Sequence, residues 1–468
     1  MQPQDDSSGS FRDRLYTIDE SGKRLWVFAR KPKGKLTTAR NITGILLMIF
    51  LFTAPFIKIN GQQLLLFDFF HRKFAIFGVQ FWPQDFNIFF IGMIGVMVCI
   101  ILFTVTYGRI WCGWACPQTI FMEVVFRRIE YWIDGDAHRQ KELDARPWDA
   151  DKIFRRVLKH GIFYLISFII GNYFLMYLIS SDAWIKLVTE SPVNHVAGLT
   201  GMVVFSFVFY FIFSWFREQV CTIVCPYGRL QGVLLDRETV VISYDYPRGE
   251  ERGALRKSEN RSETKKGDCI DCNQCVAVCP TGIDIRNGTQ LECINCACCI
   301  DACDDMMIKV GFKPGLIRYA SEKMIADKKP WHFTKRSGFY TIVLGLLLVA
   351  LGYFLATRNP VEATVLRSPG MLFQEQEGGM ISNLYSVKVV NKTTNDLPIE
   401  IRILSGKGTV KLIGDAPRVA KQSLGEVVFF ILMDRTQITN GKTEVEIGVF
   451  SGGKQLDQTR ATFVGPFK

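Results

Sequence analysis

Two runs of four cysteines stand close together near the middle of this 468-residue chain. The first run has the spacing Cys-x2-Cys-x2-Cys-x3-Cys-Pro, and the second has the same spacing without the proline. Their cysteines are, in order, Cys269, Cys272, Cys275 and Cys279, then Cys293, Cys296, Cys299 and Cys303. This spacing is typical of a segment that binds two [4Fe–4S] clusters, in which the fourth cysteine of each run ligates the other cluster. It predicts a compact fold built around two cofactors.

The crossing of the fourth cysteines defines two predicted ligand sets. The first cluster takes Cys269, Cys272, Cys275 and Cys303, and the second takes Cys293, Cys296, Cys299 and Cys279. Zinc sites usually pair two short Cys-x2-Cys motifs across a longer gap, and disulfide frameworks suit small secreted domains. We therefore predict a bacterial-type 2[4Fe–4S] ferredoxin domain that transfers single electrons. The additional Cys298 is interpreted as a small core residue rather than an alternative ligand.

Five apolar stretches are long enough to cross a bilayer, which takes roughly 20 apolar residues. They are residues 42–56 with their flanks, 86–107, 162–179, 196–215 and 339–355. Residues 64–70 are too few to span and are predicted to lie at the membrane interface. Together with a hydrophobic content of 48%, these stretches predict an integral membrane protein with polar domains between and after the spans.

The distribution of Lys and Arg predicts the orientation of these spans. Residues 23–40 and the loops after spans two and four are rich in basic residues, whereas the loop after span three has only Lys186. We therefore expect the N-terminus and the ferredoxin domain in the bacterial cytoplasm and the C-terminal domain in the periplasm. The net charge of +11 is explained by these loops, and no motif for binding nucleic acid accompanies it.

Two further cysteine pairs follow the second and fourth spans with the spacing Cys-x3-Cys-Pro. They are Cys112 with Cys116 and Cys221 with Cys225. Because proline favours the first position of a helix, the second cysteine of each pair is predicted at a helix N-terminus, where the helix dipole would lower its pKa. Thiolates bind soft ions such as Cu(I). The repeat predicts that four thiols form one site, and chance pairs of buried cysteines are the alternative.

The remaining reactive side chains show no catalytic spacing. Cys99, inside the second span, is interpreted as a packing residue. The histidines are interpreted as surface or interface residues: His71, His138, His160, His195 and His332. Four acidic residues after the first Cys-x3-Cys-Pro motif are predicted to form a solvated charged face: Glu123, Glu130, Asp134 and Asp136.

After residue 357 the apolar pattern changes to a period of two, which indicates strands. The predicted strands are residues 384–390, 399–404, 409–413, 427–432, 443–450 and 459–464, with turns at Asn440-Gly441 and Gly452-Gly453. An immunoglobulin-like β-sandwich that serves as an interaction module fits this pattern. The predicted organisation is an N-terminal segment (1–40), a four-span membrane region (41–236), the ferredoxin domain (237–336), a fifth span (337–356) and the sandwich (357–468).

This order of elements resembles the CcoG/FixG family of cytochrome c oxidase accessory proteins, also called RdxA. Matching stretches include Trp82-Pro83-Gln84-Asp85-Phe86, together with residues 107–119, 225–229, 243–245 and 315–319. The resemblance implies a cupric reductase that supplies Cu(I) for assembly of a cbb3-type oxidase, with Cys112, Cys116, Cys221 and Cys225 as the catalytic copper site. It also implies partners: a cytosolic electron donor, a copper chaperone or importer, and the oxidase assembly factors. Association into a homodimer is left open by the sequence.

Two other functions remain open from the sequence. A quinol-linked electron conduit to a periplasmic partner would need a quinone pocket, and no clear His or carboxylate site within the spans supports one. A non-enzymatic assembly scaffold would depend on the sandwich for binding oxidase subunits, and its clusters would only sense redox state or oxygen.

Overall fold

The computed structural model describes residues 17–18, 21, 23–69, 73–82, 85–255, 261, 265–368, 372–376, 379–393, 395–404, 408–413, 418–421, 423–438 and 441–466. His71, Pro83, Gln84 and Asn440, singled out above, lie outside these residues. The chain forms two compact units. The larger is built mainly from residues before 352, and the smaller mainly from residue 352 onward.

Five helices among the described residues are long and apolar enough to cross a membrane, which confirms the predicted number. These five spanning helices are Lys35–Phe56, Phe86–Tyr107, Ala150–Ile179, Val196–Phe216 and Lys335–Ala356. The first, third and fifth begin earlier than predicted, in polar and basic sequence. The third is capped by Asp149, whose carboxylate accepts a hydrogen bond of 2.8 Å from the backbone N–H of Lys152. Long basic side chains at such ends can extend their charges toward water.

Short helices follow the second and fourth spanning helices. After the second they are Ile110–Trp114, Pro117–Ile120, the π-helical Phe121–Phe126, Arg127–Ile133 and Ala137–Ala145, and after the fourth they are the π-helical Val220–Val224 and Pro226–Leu234. Ser181–Thr189 joins the third and fourth spans. Both spans end at a residue with positive φ, Gly108 at 58° and Arg217 at 52°. The two halves therefore share their local geometry as well as their cysteine spacing.

The cysteine-rich part of the larger unit contains two helices and a small sheet. The helices are Gln274–Ala277 and Cys298–Lys309, and the strands Val241–Tyr244 and Ile317–Ala320 pair antiparallel beside them. Its buried apolar side chains include Ile242, Ile283, Ile285, Leu316 and Ile317. The sequence analysis did not predict these strands, because each has only four residues and its partner lies more than 70 residues away.

The segment predicted to lie at the interface, residues 64–70, contains a strand. Leu65–Asp68 pairs antiparallel with Lys73–Ile76, and the short strands Lys58–Ile59, Gln62–Gln63 and Val79–Phe81 flank this hairpin in the sequence. Leu66 and Asp68 on one face are buried, whereas Phe67 on the other is exposed. This alternation is the pattern of a half-buried strand.

The smaller unit is an Ig-like domain whose described residues form two large antiparallel sheets and a two-stranded pairing of Leu397–Pro398 with Arg418–Val419. The first contains Thr409–Leu412, Ser423–Asp434, Met380–Asn391 and Val361–Arg367 in spatial order, with Gln374–Gln376 beside Met380. The second contains Glu400–Ile403, Lys442–Ser451 and Lys454–Val464. All six predicted strands are present. Four others were missed: Val361–Arg367, Gln374–Gln376, Leu397–Pro398 and Arg418–Val419. The predicted turn at Gly452-Gly453 is confirmed, since both glycines have positive φ between paired strands.

The side chains between these sheets form a continuous apolar core. Val387, Phe429, Ile431, Val445 and Phe463 are fully buried in it. The hydroxyl of Tyr385, which is also buried, donates a hydrogen bond of 2.9 Å to the backbone oxygen of Thr462. The domain therefore has its own core and needs no disulfide for it.

Candidate metal centres

Two cavities in the larger unit separate the eight ferredoxin cysteines into two groups. The first is lined by Cys269, Cys272, Cys275 and Cys303. The second is lined by Cys279, Cys293, Cys296 and Cys299, with Cys275 also at its border. Each cavity is thus lined by the four cysteines of one predicted ligand set.

The backbone around each cavity is shaped for an anionic group. Asp271 and Asn273 on either side of Cys272 have positive φ, and Asn295 and Ala297 repeat this arrangement around Cys296. Successive backbone amides that alternate between right- and left-handed conformations form concave anion sites, which are common around iron–sulfur clusters. The cysteine sets and the backbone therefore both fit two [4Fe–4S] clusters.

The thiols are not arranged for a single metal ion. Within the part of the chain that the structure describes, no three His, Cys, Asp or Glu side chains are close enough to hold one ion, and this applies to the Cys-x3-Cys-Pro pairs too. In the ferredoxin part this agrees with a polynuclear cluster, whose iron and sulfide core lies between the cysteine sulfurs. For the Cys-x3-Cys-Pro cysteines it means that ion binding would need the thiols to move closer together.

The Cys-x3-Cys-Pro cysteines occupy the predicted positions on their helices. Cys116 is the N-cap of Pro117–Ile120 and Cys225 is the N-cap of Pro226–Leu234. Cys112 and Cys221 lie one turn earlier, in Ile110–Trp114 and in the π-helical Val220–Val224. The N-cap prediction is confirmed, and the proline in each motif provides the first residue of the following helix.

The two pairs meet across the halves. The Cys112 thiol donates a hydrogen bond of 3.2 Å to Oε1 of Gln231, a fully buried residue on the helix that follows Cys225. That helix passes so close to Cys221 that a Cβ on Gly228 would lie 2.6 Å from the Cys221 carbonyl oxygen. The Nε2 donor of Gln231 is buried without a hydrogen-bond partner. The site therefore offers a free amide donor to an anionic group such as a thiolate.

The prediction that the helix dipole lowers the thiol pKa is wrong for Cys116, the N-cap cysteine of the first motif. Burial raises the pKa of Cys112 and of Cys221 to about 12, and the charges of neighbouring cysteines add to the effect. Burial also raises the pKa of Cys116, although the backbone N–H groups of Thr119 and Gln118 favour its thiolate. Desolvation outweighs the dipole here, so a bound metal must displace protons from these thiols.

The Cys112 side of this site packs directly against the second ferredoxin cysteine run. Cys112 contacts a cluster of buried residues that includes Ile294, Cys296 and Cys298. A Cβ on Gly113 would lie 2.4 Å from the backbone oxygen of Ile294. No side chain separates the two backbones at this point, so the second cavity, rather than the first, borders the Cys-x3-Cys-Pro site.

Polar contacts hold the ferredoxin part in this position. Nε1 of Trp114 donates to the Tyr319 hydroxyl at 3.1 Å, and that hydroxyl donates to the Asn295 carbonyl at 2.9 Å. The Asp301 carboxylate accepts from the backbone N–H groups of Leu36 and Thr37, at 3.1 and 2.7 Å, in the first turn of the first spanning helix. A carboxylate is favourable there because helix N-termini carry partial positive charge.

The predicted solvated acidic face is instead largely buried. Glu130 forms a bidentate pair with Arg217 at 2.8 and 2.6 Å, and Asp134 binds Lys159 at 2.5 Å. Glu123 binds Arg127 at 3.0 Å. All these side chains are at most 8% exposed. Their cationic partners come partly from distant segments, which the local sequence pattern does not reveal. Of the four, Asp136 alone is exposed as predicted, and it caps Ala137–Ala145.

The two additional cysteines differ in their surroundings. Cys298 is buried in the apolar cluster beside Cys112, as predicted for a small core residue. The neighbouring Cys298 thiol and the charge of Arg40 lower the pKa of Cys296 despite its burial. Cys99 is exposed on the second spanning helix, so its interpretation as a packing residue is wrong.

The described histidines take no part in these centres. His138 is exposed, and His195 and His332 lie near Glu190 and Glu238, with N–O distances of 2.7 and 3.8 Å. His160 contacts the Tyr210 hydroxyl at 2.9 Å. They are thus surface or helix-contact residues, in agreement with their interpretation from the sequence.

Sequence reasoning missed the buried polar residues Gln231, Arg109 and Arg40. An arginine precedes each Cys-x3-Cys-Pro motif near the end of the span. Arg109 lies three residues before Cys112, and Arg217 lies four residues before Cys221. A basic residue repeated in both halves, together with the cysteines, was the signal available for Arg109. Gln231 and Arg40 have no such signal, because their partners lie more than 100 residues away.

Comparisons with known proteins agree with this architecture. Family models match residues 89–139 as a 4Fe-4S binding domain, 216–322 as a 4Fe-4S dicluster domain and 351–466 as the Ig-like fold at the C-terminus of FixG. RdxA of Cereibacter sphaeroides is 35% identical over 82% of this chain and 83% of that protein. FixG of Rhizobium meliloti is 33% identical over 81% and 79%.

A crystal structure of a FixG-related protein from Vibrio parahaemolyticus aligns with 22% of this chain and 95% of that chain, at 17% identity and a TM-score of 0.19. The family assignment depends on the two longer relatives, each matched over about four-fifths of its length and above 30% identity. With five spanning helices, a 4Fe-4S dicluster domain and the Ig-like C-terminal fold, this chain belongs to the FixG/RdxA family of membrane iron–sulfur electron-transfer proteins.

Proposed function

We propose that this protein reduces Cu(II) to Cu(I) at the four Cys-x3-Cys-Pro cysteines, with electrons from the two clusters. Clusters bound at the two cavities would supply one electron at a time, and each electron converts one Cu(II) to one Cu(I). A cytosolic donor reloads the clusters, and the Cu(I) passes through a copper chaperone or importer to assembly of a cbb3-type oxidase. The eight ferredoxin cysteines hold the clusters in the two predicted sets.

The observation that carries this proposal is the contact between Cys112 and the second cysteine run. Cys112 packs against a buried cluster that includes Cys296, a ligand of the proposed second cluster, and Gly113 lies against the backbone of Ile294. Electron transfer between the sites then needs no intervening domain movement. Thiolate ligands favour Cu(I) over harder ions, so the site would retain the product of the reduction.

The chain's own residues control protons at this site. Because the pKa values of Cys112 and Cys221 are raised to about 12, both thiols are protonated at neutral pH before copper binds. Copper binding releases these protons. Gln231 can hold Cys112 by its side-chain oxygen as a thiol and can donate its free Nε2–H to a thiolate. Release of the product would require these thiols to take up protons again.

Anaerobic protein with chemically reduced clusters tests the proposal. After removal of excess reductant, Cu(II) is added, and cluster absorbance and Cu(I)-chelator colour are followed together. We expect matched cluster oxidation and Cu(I) formation in the wild type. Both should be lost in a variant with Cys112, Cys116, Cys221 and Cys225 all changed to Ser. Cys99→Ser, outside the site, is the matched control and should behave as the wild type.

Two results would contradict the copper proposal. One is that wild-type clusters remain reduced after Cu(II) addition, and the other is that the four-cysteine variant reacts at the wild-type rate with its clusters intact. A variant without residues 357–468 distinguishes the copper reductase from the scaffold alternative. A reductase should still reduce copper in vitro after this truncation, whereas a scaffold should no longer support oxidase assembly in cells.

A second candidate is an electron conduit in which the Cys-x3-Cys-Pro cysteines bind a further iron–sulfur group. The match of residues 89–139, which contain Cys112 and Cys116, to a 4Fe-4S binding domain favours it. Iron and sulfide analysis of the four-cysteine variant distinguishes the two functions. Unchanged iron content supports copper as the substrate at this site, whereas loss of one cluster's worth of iron supports the conduit.

A further inference from the structure

Three buried arginines from the membrane region surround the second cavity. Nη1 of Arg40 donates to the Cys296 carbonyl and to the Cys298 sulfur, both at 3.4 Å. Arg127 Nη2 donates to the Pro280 carbonyl at 3.3 Å, directly after Cys279. Arg109 donates to the Leu291 carbonyl, two residues before Cys293. The three arginine residues are only 4, 3 and 5% exposed.

These positive charges are only partly neutralised. Arg40 and Arg127 share Glu123, at 3.7 and 3.0 Å, and Arg127 also lies 3.9 Å from Glu218. For Arg109 the described residues provide no carboxylate within 4.0 Å, and its Nε is buried without a hydrogen-bond partner. Burial makes a charge more effective, because less water screens it.

The first cavity has a different balance of charge. Its lining guanidinium, Arg286, is held by two carboxylates, Asp284 at 2.6 Å and Asp271 at 2.5 Å. Arg248, near the same end of the ferredoxin part, is paired with Asp268 at 2.6 Å. Arg261 also donates to the Cys269 carbonyl at 3.3 Å, and Asp304 places a further negative charge near Cys303. Carboxylates therefore match the arginines beside the first cavity. Around the second cavity the three arginines outnumber Glu123 and Glu292, since Glu218 is shared with Arg24 and Arg217.

We propose that Arg40, Arg109 and Arg127 hold the second cluster at a higher reduction potential than the first. Reduction adds one negative charge to a cluster, and nearby positive charge stabilises that reduced form; net charge and hydrogen bonding are established controls of cluster potential. One electron then leaves the first cluster, which is oxidised, and reduces the second, beside Cys112. The arginines are positioning residues for this transfer. The inference deepens the proposed function and rests on its assignment of the two cluster sites.

A potentiometric titration followed by electron paramagnetic resonance tests this order in the full-length, anaerobically purified protein. In the wild type we expect two midpoint potentials, the higher belonging to the second cluster. The Arg286→Gln variant shows which potential belongs to which cluster. It changes the charge at the first cavity, so it should shift only the lower potential.

Arg109→Gln and Arg40→Gln should each lower the higher potential. At the wild-type midpoint we expect the ratio of reduced to oxidised second cluster to fall about tenfold, which corresponds to 59 mV for one electron. Arg109→Lys keeps the positive charge and should change that ratio less than about threefold. A purely structural role would instead make the Lys and Gln variants shift alike.

Two outcomes overturn the inference. One is a second cluster whose wild-type potential is equal to or below that of the first. The other is an unchanged potential in both Gln variants with clusters intact. If a Gln variant loses iron and sulfide, its potential cannot be compared with that of the wild type. The order of the two wild-type potentials then decides by itself whether the inference holds. None of these readings uses copper, so failure of copper reduction and failure of this inference are separate results.

Discussion

Gly113 lies where the segments that carry the two proposed redox sites are in close backbone contact. A Cβ at this position would lie 2.4 Å from the Ile294 backbone oxygen. A backbone atom cannot rotate away as a flexible side chain can, so Gly113→Ala must push the two segments apart. We expect it to cost about 1–3 kcal/mol of stability, as overpacking usually does, and to slow Cu(I) formation more than cluster reduction by dithionite. Thermal unfolding in detergent and stopped-flow absorbance measure the two effects.

Gly161→Ala is the matched control for this substitution. Gly161 lies in the third spanning helix, and a Cβ there would meet no heavy atom within 4 Å. It should leave both the unfolding midpoint and the Cu(I) rate near the wild-type values. Equal behaviour of the two alanine variants would show that close contact at Gly113 has no role.

Cys112 and Cys221 carry a second prediction at the scale of single residues. Since burial raises both pKa values to about 12, the thiolate fraction is small at pH 7 and rises about tenfold per pH unit. In metal-free protein, alkylation by iodoacetamide should therefore accelerate about tenfold per unit between pH 7 and 10, because only the thiolate reacts. Peptide mass spectrometry reports each cysteine. A rate that levels off below pH 9 would instead show that burial does not raise the pKa of these two thiols.

At the scale of elements, the helix Arg127–Ile133 is held to the fourth spanning helix by a buried ion pair. Glu130 accepts two hydrogen bonds from Arg217, at the end of that span. Burial opposes its charge, but Arg217 and Lys159 outweigh burial and lower the Glu130 pKa below its usual 4.5. Its stabilising effect is therefore present above that usual value and is lost as the pH falls through the lowered pKa.

Replacing Glu130 by Gln should be strongly destabilising. The change leaves the Arg217 charge buried without its carboxylate, which typically costs about 3–5 kcal/mol. The thermal unfolding midpoint in detergent should fall at pH 7, and the difference from the wild type should shrink at acid pH. Asp305→Asn breaks the exposed pair with Lys309 and should cost at most about 1 kcal/mol. Similar midpoints for the two variants would contradict a structural role for the buried pair.

These elements also show what sequence alone can predict. Spacing was enough for the grouping of the ferredoxin cysteines and for helices that begin at Pro117 and Pro226, because both are local patterns. Burial of Glu130 depends on Arg217, which lies 87 positions later. Likewise the thiol pKa depends on how deeply the folded chain buries Cys112. Effects that depend on distant partners or on desolvation have no local signature.

At the scale of the whole molecule, the ferredoxin part of the larger unit is fixed to its membrane part at a defined place. Asp301 caps the first spanning helix, Trp114 reaches Tyr319, and Arg127 reaches the Pro280 carbonyl. Each contact lies near the second cysteine run or near Cys279, the last cysteine of the first run. Such a docked arrangement favours a fixed electron path from the proposed first cluster to the proposed second cluster, because no linker has to bring the sites together.

The orientation of this arrangement decides which compartment supplies electrons. The Lys and Arg bias predicts a cytoplasmic ferredoxin part and a periplasmic Ig-like domain. Alkaline phosphatase, which folds actively only in the periplasm, should therefore be active when fused after residue 466 or near residue 190. It should be inactive when fused near residue 147. Green fluorescent protein at the same positions should give the complementary pattern. A reversed pattern would place the clusters outside and remove the cytosolic donor on which the proposed function depends.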